Sequence, residues 1–376
     1  MDVESGSTEI AGGGIAGLAL GWSLARTGWR VRIHERGAEI REIGAGIYLM
    51  NNSLSILDKH GIADRILARA VTLTAAERRA RDGRLIFRRS LPREERRMTV
   101  LRSDLVLGLA DAARRAGAEI VTNSTAVAID PAGTLTLESG ETARADLVVA
   151  ADGFRSRLRD QLGLTVVARE RPSGATRVLL RRTDAEAEAV TSEHWSGRRR
   201  VGIVPCAPDL TYAYLSCPHV DRRASAIPLD VASWQDAFPA IAGFFERVPD
   251  ALSIVRHAYA YAIPSSWSRG RACILGDAAH ALPPTLAQGA GLSIANGYAL
   301  SKILQTERNV PAALLRWERE HRPISDRTQR WSLRFDRMTT DWPQQLDLLR
   351  RTTLWTIGRV GWLNARVRAA DRVRLV

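Results

Sequence analysis

The sequence is poor in cysteine and almost without lysine. Among 376 residues there are three cysteines, at Cys206, Cys217 and Cys273, and two lysines, at Lys59 and Lys302. No two cysteines are spaced as Cys-x-x-Cys, which argues against a disulfide framework, a zinc site and a dithiol redox centre. The cysteines are therefore expected to be buried, reduced thiols of a cytoplasmic protein.

Long apolar runs are also missing. The longest stretch without a charged residue, 278–301, contains two prolines, a glutamine and an asparagine, so it is a poor candidate for a membrane span. Nine residues precede the first apolar, glycine-containing motif, and no signal peptide fits into them. We expect a cytoplasmic chain without stable membrane insertion.

Charge of one sign dominates, because the formal net charge is +13 and nearly all cations are arginines. The arginines are scattered and are not interleaved with aromatic residues in a repeated unit. This distribution favours solvated surfaces and an anionic ligand, and no nucleic-acid partner is expected. A basic protein that binds nucleic acid or a membrane surface remains an alternative.

The order of predicted elements indicates a mixed α/β fold with a discontinuous, Rossmann-type domain. Strand and helix patterns alternate in 1–70, 97–165 and 265–335, which we assign to a nucleotide-binding domain. Alternating strands and loops in 71–96 and 166–264 predict a second domain built on a β-sheet, and 336–376 predicts a C-terminal helical segment. Ser103 is the predicted N-cap of a helix over 103–117.

A dinucleotide-binding turn follows the first predicted strand. Gly12, Gly14 and Gly17 give the Gly-x-Gly-x-x-Gly spacing, and Glu35 lies at the end of the next strand. Such glycines permit a tight turn, close approach of a pyrophosphate and close packing of helix and strand. The helix that opens at Ile15 and Ala16 offers free N–H groups, and Glu35 can accept the ribose hydroxyls. This turn alone does not separate NAD from FAD.

Two later motifs also follow buried strands. The first is Asp152-Gly153, after the strand predicted over 145–151. The second is Gly276-Asp277, after the strand predicted over 271–275, and it continues into Pro284 and the run Gln288-Gly289-Ala290-Gly291.

These three motifs together resemble the group A, or p-hydroxybenzoate-hydroxylase-type, FAD-dependent monooxygenases over nearly the whole chain up to about residue 330. The resemblance implies FAD as cofactor, NADH or NADPH as a transient reductant, and O₂ as cosubstrate. It also implies hydroxylation of an electron-rich aromatic or N-heteroaromatic ring through a flavin C4a-hydroperoxide. His280 matches a common family histidine, which we interpret as a packed side chain rather than a base.

The resemblance also implies which residues contact FAD. Asp277 would bind the ribityl hydroxyls, Arg102 would contact the cofactor, and the helix starting near Gly289 would direct its N–H groups at the flavin N1–C2=O edge. The full predicted set is Gly12, Gly14, Ile15, Ala16, Gly17, Glu35, Arg36, Gly46, Ile47, Arg102, Val127, Asp152, Gly153, Gly276, Asp277, Pro284, Gly289, Ala290 and Gly291.

Within the family, the chain is most similar to the 2-methyl-3-hydroxypyridine-5-carboxylate oxygenase branch. That likeness assigns Arg177, Arg200 and Tyr212 to the substrate, beside Pro284 at the catalytic centre. A guanidinium can hold a ring carboxylate, so a small, anionic aromatic substrate is expected. The branch has a substrate-contacting tyrosine where this chain has no aromatic residue, in 72–80, so neither the substrate nor the ring cleavage of that branch is carried over to this chain.

Other activities of the same fold stay open. A flavoprotein epoxidase or a reductase would carry the same three motifs. A homodimer is compatible with the sequence.

Overall fold

The computed structural model describes residues 6–40, 45–186 and 188–341. The segment 336–376, predicted to be helical, lies outside the described residues from 342 onwards. The strands are β1 Ser7–Ala11, β2 Arg30–His34, β3 Gly46–Met50, β4 Val71–Thr72, β5 Ala75–Ala80, β6 Leu85–Ser90, β7 Arg97–Leu101, β8 Glu119–Val121, β9 Ala126–Asp130, β10 Thr134–Leu137, β11 Thr142–Arg144, β12 Leu147–Ala150, β13 Thr165–Arg181, β14 Val190–Ser196, β15 Arg199–Ala207, β16 Leu210–Pro218, β17 Ser253–Pro264, β18 Ser268–Arg269 and β19 Ala272–Ile274. The helices are α1 Ile15–Ala25, α2 Asn51–Lys59, α3 Ala63–Ile66, α4 Arg102–Arg115, α5 Arg157–Gln161, α6 Val231–Ala237, α7 Ala242–Glu246, α8 Asp277–His280, α9 Gly289–Leu304 and α10 Val310–Thr340.

A six-stranded sheet with the order β18-β19-β12-β1-β2-β8 carries the dinucleotide turn. Its neighbours pair in parallel, except for the edge pair β18–β19. The central strands β12 and β19 are apolar and buried at every position, as expected for parallel strands covered by helices. Every residue of α1 is buried, since this helix packs on the sheet and on α4 and α9. The α/β fold class predicted from the sequence is thus confirmed.

A seven-stranded sheet with the order β17-β13-β16-β15-β14-β5-β6 forms the second layer. Its pairs are antiparallel apart from β14 and β5. Alternate side chains of the central strands pack against α6 and α7 in an aromatic cluster that includes Trp234, Phe238 and Phe245. Because neighbouring side chains of a strand point to opposite faces, the intervening residues are presented to the first layer.

The start of α4 differs from the sequence prediction. Leu101 has an extended backbone and occupies the N-cap position, so the prediction of Ser103 as N-cap is wrong. The physical reason is a tertiary hydrogen bond: the Arg102 backbone N–H donates to the Ala45 carbonyl at 3.1 Å as β7 ends and the helix begins. The helix therefore places Arg102 in its first position.

Helix α10 joins the two layers. It runs without interruption through residues 335 and 336, the boundary predicted between the nucleotide-binding domain and the C-terminal segment. Near its end, Asp336 is completely buried and binds Arg171 and Ser173 of β13. No helix within the described ranges has the length and apolar character needed to cross a membrane.

Candidate active site

One cleft of about 1590 Å³ lies between the two sheets and connects the motifs predicted from the sequence. Most of the predicted cofactor residues and all of the predicted substrate residues line it. Those lining residues are Gly12, Gly14, Ile15, Ala16, Glu35, Arg36, Gly46, Ile47, Arg102, Val127, Asp152, Gly153, Arg177, Arg200, Tyr212, Asp277, Pro284, Gly289 and Ala290.

Three predicted glycines do not line the cleft and have packing roles. A Cβ atom on Gly17 would lie 2.0 Å from the Gly12 carbonyl oxygen. On Gly276 it would lie 2.5 Å from the Ala16 Cβ atom, and on Gly291 it would lie 2.9 Å from the Asn52 side chain. These glycines let the elements around the cleft approach each other.

The glycine turn has the form that a dinucleotide requires. Gly12 adopts a φ of 115°, and its N–H donates to the His34 carbonyl at 2.8 Å, which closes the turn over β2. The Gly13 N–H donates to Glu35 Oε2 at 2.9 Å, which fixes that carboxylate at the strand end. Apart from Gly14 itself and its two chain neighbours, no described residue places an atom within 4 Å of the Cβ position of Gly14, and no side chain caps α1. The helix N-terminus therefore opens into the cleft, as a bound pyrophosphate needs.

The two later motifs meet the turn at the same edge of the sheet. In the ladder Ala11 pairs with Ala150, and Ala150 pairs with Ile274, so three neighbouring parallel strands end side by side. Asp152 and Asp277 follow two of these ends and face the cleft. Ligands of open α/β sheets bind at the carboxyl ends of the strands, so the residues fit an extended nucleotide cofactor such as FAD.

The loop before α9 forms another wall. Ala287 has a left-handed backbone with φ 56°, an unusual conformation for a residue other than glycine. It turns the chain so that α9 begins beside Pro284 and Gly289, both of which line the cleft, without a side-chain cap. The positive end of this helix dipole is thereby available to an anionic edge of the cofactor.

Tyrosine is concentrated at the other end of the cleft. Tyr48, Tyr212, Tyr214 and Tyr259, four of the six tyrosines in the chain, line the cleft. Burial raises the pKa of each of these phenols, so they remain neutral donors and acceptors. This end can therefore hydrogen-bond a ring without supplying a phenolate base.

The two predicted arginines have different surroundings. Arg177 contacts His257, with 3.0 Å between Nη1 and Nδ1, and it hydrogen-bonds Tyr212. Arg200 is 3% exposed and forms an ion pair with Glu193, with 3.3 Å between Nη1 and Oε1. The three predicted substrate residues are brought together, but Arg200 already has an anionic partner.

Sequence reasoning missed Glu193 and the tyrosines at 48, 214 and 259. Alternate positions of β16 hold Tyr212, Tyr214 and Ser216, and this two-residue period was a usable signal for one face of a strand. Glu193 gave no such signal, because its place depends on the pairing of β14 with β15.

His280 lies away from the cleft. The Asn296 amide is 3.0 Å from its Nε2 atom, and burial lowers its pKa to about 4. It is therefore a neutral packed side chain, as expected from the sequence.

Comparison with known proteins agrees with this geometry. A family model described as an FAD binding domain matches residues 7–332. A 2-heptyl-3-hydroxy-4(1H)-quinolone synthase of Mycobacteroides abscessus is 37% identical over 363 residues, covering 95% of this chain and 96% of that protein. A probable 2-heptyl-3-hydroxy-4(1H)-quinolone synthase of Rhodococcus erythropolis is 36% identical over 329 residues, which is 86% of each chain.

Among solved structures, the tetrameric form of 2-methyl-3-hydroxypyridine-5-carboxylic acid oxygenase matches with a TM-score of 0.87 and 32% identity. The match covers 98% of this chain and 97% of that chain. The resemblance to group A monooxygenases inferred from the three motifs is confirmed, and with it FAD as the cofactor. The chain belongs to the FAD-binding-domain family and is one of its FAD-dependent monooxygenases.

Proposed function

We propose that this enzyme uses NADH or NADPH and O₂ to hydroxylate a small, electron-rich N-heteroaromatic or aromatic ring. The observation that supports this proposal is the single cleft, which runs from the glycine turn to a cluster of four tyrosines. When bound, FAD supplies the chemistry, since it accepts reducing equivalents and activates O₂. The proposed site of action is the cytoplasm, where the three buried thiols stay reduced.

The proposed cofactor site consists of the predicted residues that line the cleft. The N-terminus of α1 would hold the pyrophosphate, with Glu35 at the ribose of the adenosine half. Asp277 and Arg102 would hold the ribityl chain and the flavin, while the start of α9 would stabilise negative charge on the ring. These elements belong to the proposed FAD domain, 1–70, 97–165 and 265–335, with 71–96 and 166–264 as substrate domain.

The proposed substrate site lies on the opposite sheet. Tyr212 would orient a ring hydroxyl or nitrogen, and Arg177 would hold an anionic oxygen of the ring or its carboxylate. Pro284 would pack near the flavin without an N–H group to compete for its hydrogen bonds. The surrounding tyrosines, of which Tyr212 and Tyr259 are buried, would exclude water from the reacting atoms.

The names of the relatives favour a nitrogen-containing ring. Both the quinolone synthases and the hydroxypyridine-carboxylic acid oxygenase are named for heteroaromatic rings that bear an oxygen substituent. Such a substituent makes a ring electron-rich, as transfer of an electrophilic oxygen requires. A synthase is named for its product, so for the quinolone synthases the compound to hydroxylate is a 4(1H)-quinolone without the 3-hydroxyl group. We therefore propose 4(1H)-quinolones, hydroxypyridines and phenols as the compounds to examine first. The homodimer stays a prediction.

A screen of NADH and NADPH oxidation over these compounds tests the proposal. Product formed under ¹⁸O₂ should carry one labelled oxygen on the ring, and H₂O₂ should stay below product in amount. Label across a double bond would indicate an epoxidase, and turnover without label a reductase. Either result, or a purified protein that takes up no FAD, contradicts the proposal.

The variant Arg177→Gln gives a direct check of the substrate site. It should retain FAD but lose most of the stimulation of NAD(P)H oxidation by the ring substrate. Arg169→Gln is the matched control, because Arg169 lies on the same strand, is exposed and does not line the cleft. If the substrate stimulates NAD(P)H oxidation equally in both variants, Arg177 does not bind the substrate.

A further inference from the structure

The pair formed by Glu193 and Arg200 is built into the substrate end of the cleft. Both residues line the cleft, Arg200 is 3% exposed, and the side chain of Glu193 is 16% exposed. The Arg200 Nη2 atom also donates to Ser216 Oγ at 3.3 Å. Burial alone would raise the pKa of Glu193, but the positive charges of Arg200 and Arg78 lower it by more than burial raises it. The pKa of Glu193 therefore falls below its usual range and the carboxyl stays ionised.

Further donors hold Glu193 in place. The Tyr214 hydroxyl donates to Oε1 at 2.9 Å, and Trp195 Nε1 donates to Oε2 at 2.7 Å. The Tyr214 ring reaches this position because Gly202 lies opposite it, where a Cβ atom would meet the ring at 2.1 Å. With both oxygens held, Glu193 cannot easily turn away from Arg200 to make room for a ligand anion.

A second guanidinium near Glu193, that of Arg78, leaves the charge pairing of Glu193 with Arg200 intact. Arg78 approaches Oε2 at 3.9 Å, but its side chain is 32% exposed and lies over the rings of Trp195 and Phe335. Water screens a charge at that exposure, whereas the buried charge of Arg200 is screened little. The charge of Arg200 therefore has to be cancelled from within the protein.

Arg177 provides the contrast. Its contacts are Tyr212 and His257, and within the described residues no carboxylate lies at ion-pair distance from its guanidinium. Of the two arginines assigned to the substrate, one therefore keeps its positive charge for a ligand and the other does not.

We propose that Glu193 is a specificity-determining residue: by cancelling the charge of Arg200, it makes that side of the cleft accept an uncharged, hydrogen-bonding ring substituent. An anionic substituent of the ligand would bind Arg177 instead. The inference rests on the proposed function, since it assumes that the tyrosine-lined end holds the ring. It narrows the substrate class to rings with a single anionic group, such as a phenolate, an enolate or one carboxylate. Glu193 acts through Arg200 and is a positioning residue.

A pair of isosteric ligands tests the proposal. 5-Hydroxyisophthalate carries two carboxylates, and its monoamide, 3-carbamoyl-5-hydroxybenzoate, carries one. Dissociation constants are measured on the oxidised holoenzyme from the change in the flavin absorbance spectrum, without NAD(P)H. The variant Glu193→Gln should bind the dicarboxylate at least tenfold more tightly than the unaltered enzyme, because a buried guanidinium without an anionic partner attracts a second carboxylate strongly. Its dissociation constant for the monoamide should stay within about threefold of that of the unaltered enzyme.

The double variant E193Q/R200Q is the matched control. It restores a neutral pair and should abolish the gain in dicarboxylate affinity. If E193Q yields no flavin-containing protein, Arg200→Gln takes its place: it leaves Glu193 uncancelled and should increase the preference for the monoamide at least tenfold.

The result that overturns the inference is an unchanged ratio of the two dissociation constants, including the absence of any dicarboxylate binding in both the enzyme and E193Q. Failure of the proposed function looks different, since it would appear as a protein without flavin or as product without ¹⁸O label. If the protein hydroxylates a ring but the ratio of the two dissociation constants is the same in E193Q as in the unaltered enzyme, only the role of Glu193 is refuted.

Discussion

At the scale of single residues, the glycines of the dinucleotide turn serve different physical purposes. Gly14 has φ −82° and open space at its Cβ position, whereas a Cβ on Gly17 would lie 2.0 Å from the Gly12 carbonyl oxygen. Gly14→Ala should therefore leave the apoprotein as stable as before, within about 0.5 kcal/mol. It should weaken FAD binding at least tenfold, because the methyl group stands where the pyrophosphate approaches.

The matched variant Gly17→Ala should show the reverse order of effects. Overpacking against backbone should lower the unfolding free energy of the apoprotein by about 1–3 kcal/mol. Urea unfolding of the apoprotein and titration with FAD measure the two quantities separately. Normal FAD affinity in Gly14→Ala would show that the cofactor does not approach the turn as proposed.

A residue's position can be predicted from the sequence when its neighbours along the chain decide it, but not when the pairing of distant strands decides it. The positions of Gly12, Gly14, Asp152 and Asp277 beside the cleft were predictable because each lies within a few residues of a strand end. Glu193 and Tyr214 were not, because they meet through the register of β14, β15 and β16. A shift of one residue in that register would turn them to the other face.

At the scale of elements, the attachment of α10 to β13 depends on one buried carboxylate. Asp336 is fully buried and lies 2.8 Å from Arg171 Nε, while Asp341 binds the same guanidinium at 2.6 Å with 31% of its side chain exposed. Asp336→Asn should lower the unfolding free energy by about 3 kcal/mol, since it leaves a largely buried charge incompletely paired.

Asp341→Asn is the control for that prediction. It removes a carboxylate from the same arginine but at an exposed position, so the loss should stay below about 1 kcal/mol. Guanidinium chloride introduces salt screening, so urea unfolding at pH 7 is the appropriate measurement. Equal losses in the two variants would mean that burial of Asp336 does not set the strength of this contact.

Elements were predicted best where a pattern is local and continuous. The buried strands β12 and β19 stand out as apolar runs followed by glycine motifs, and the structure has both. The start of α4 was misplaced because a tertiary contact, from the Arg102 N–H to the Ala45 carbonyl, decides it. The continuation of α10 past residue 335 could not be predicted either, because the buried face of the helix has no apolar pattern there. Ser332, Asp336 and Thr340 are all fully buried.

At the scale of the whole molecule, buried histidines should make the folded enzyme sensitive to mild acid. Burial lowers the pKa of His194 and of His280 to about 4, from an ordinary value near 6.5. A group whose pKa is depressed by folding favours the folded state above its unfolded pKa, and that contribution is lost as the pH falls towards the folded pKa. The affected window is therefore pH 6.5 to 4, where the unfolded chain binds protons that the folded chain excludes.

The size of the effect follows from the number of protons. Each buried histidine contributes about 1.4 kcal/mol per pH unit once its unfolded form is protonated, so His194 and His280 together contribute roughly 3 kcal/mol per pH unit between about pH 5.5 and 4.5. The pKa of half-buried His60 is also lowered to about 4 and adds a smaller, solvent-screened part in the same direction, whereas burial raises the pKa values of Asp152 and Asp277, which opposes it. Glu9 and Glu193 have pKa values below their usual range, so their stabilisation is lost at still lower pH and does not set this slope. Urea unfolding of the holoenzyme with FAD in excess, from pH 7 to pH 4.5, measures it. His194→Gln and His280→Gln should each lower the slope by about 1 kcal/mol per pH unit, whatever their effect at pH 7, because each variant removes one proton that is taken up on unfolding. A slope that is the same in both variants as in the unaltered enzyme would show that other groups govern the acid response.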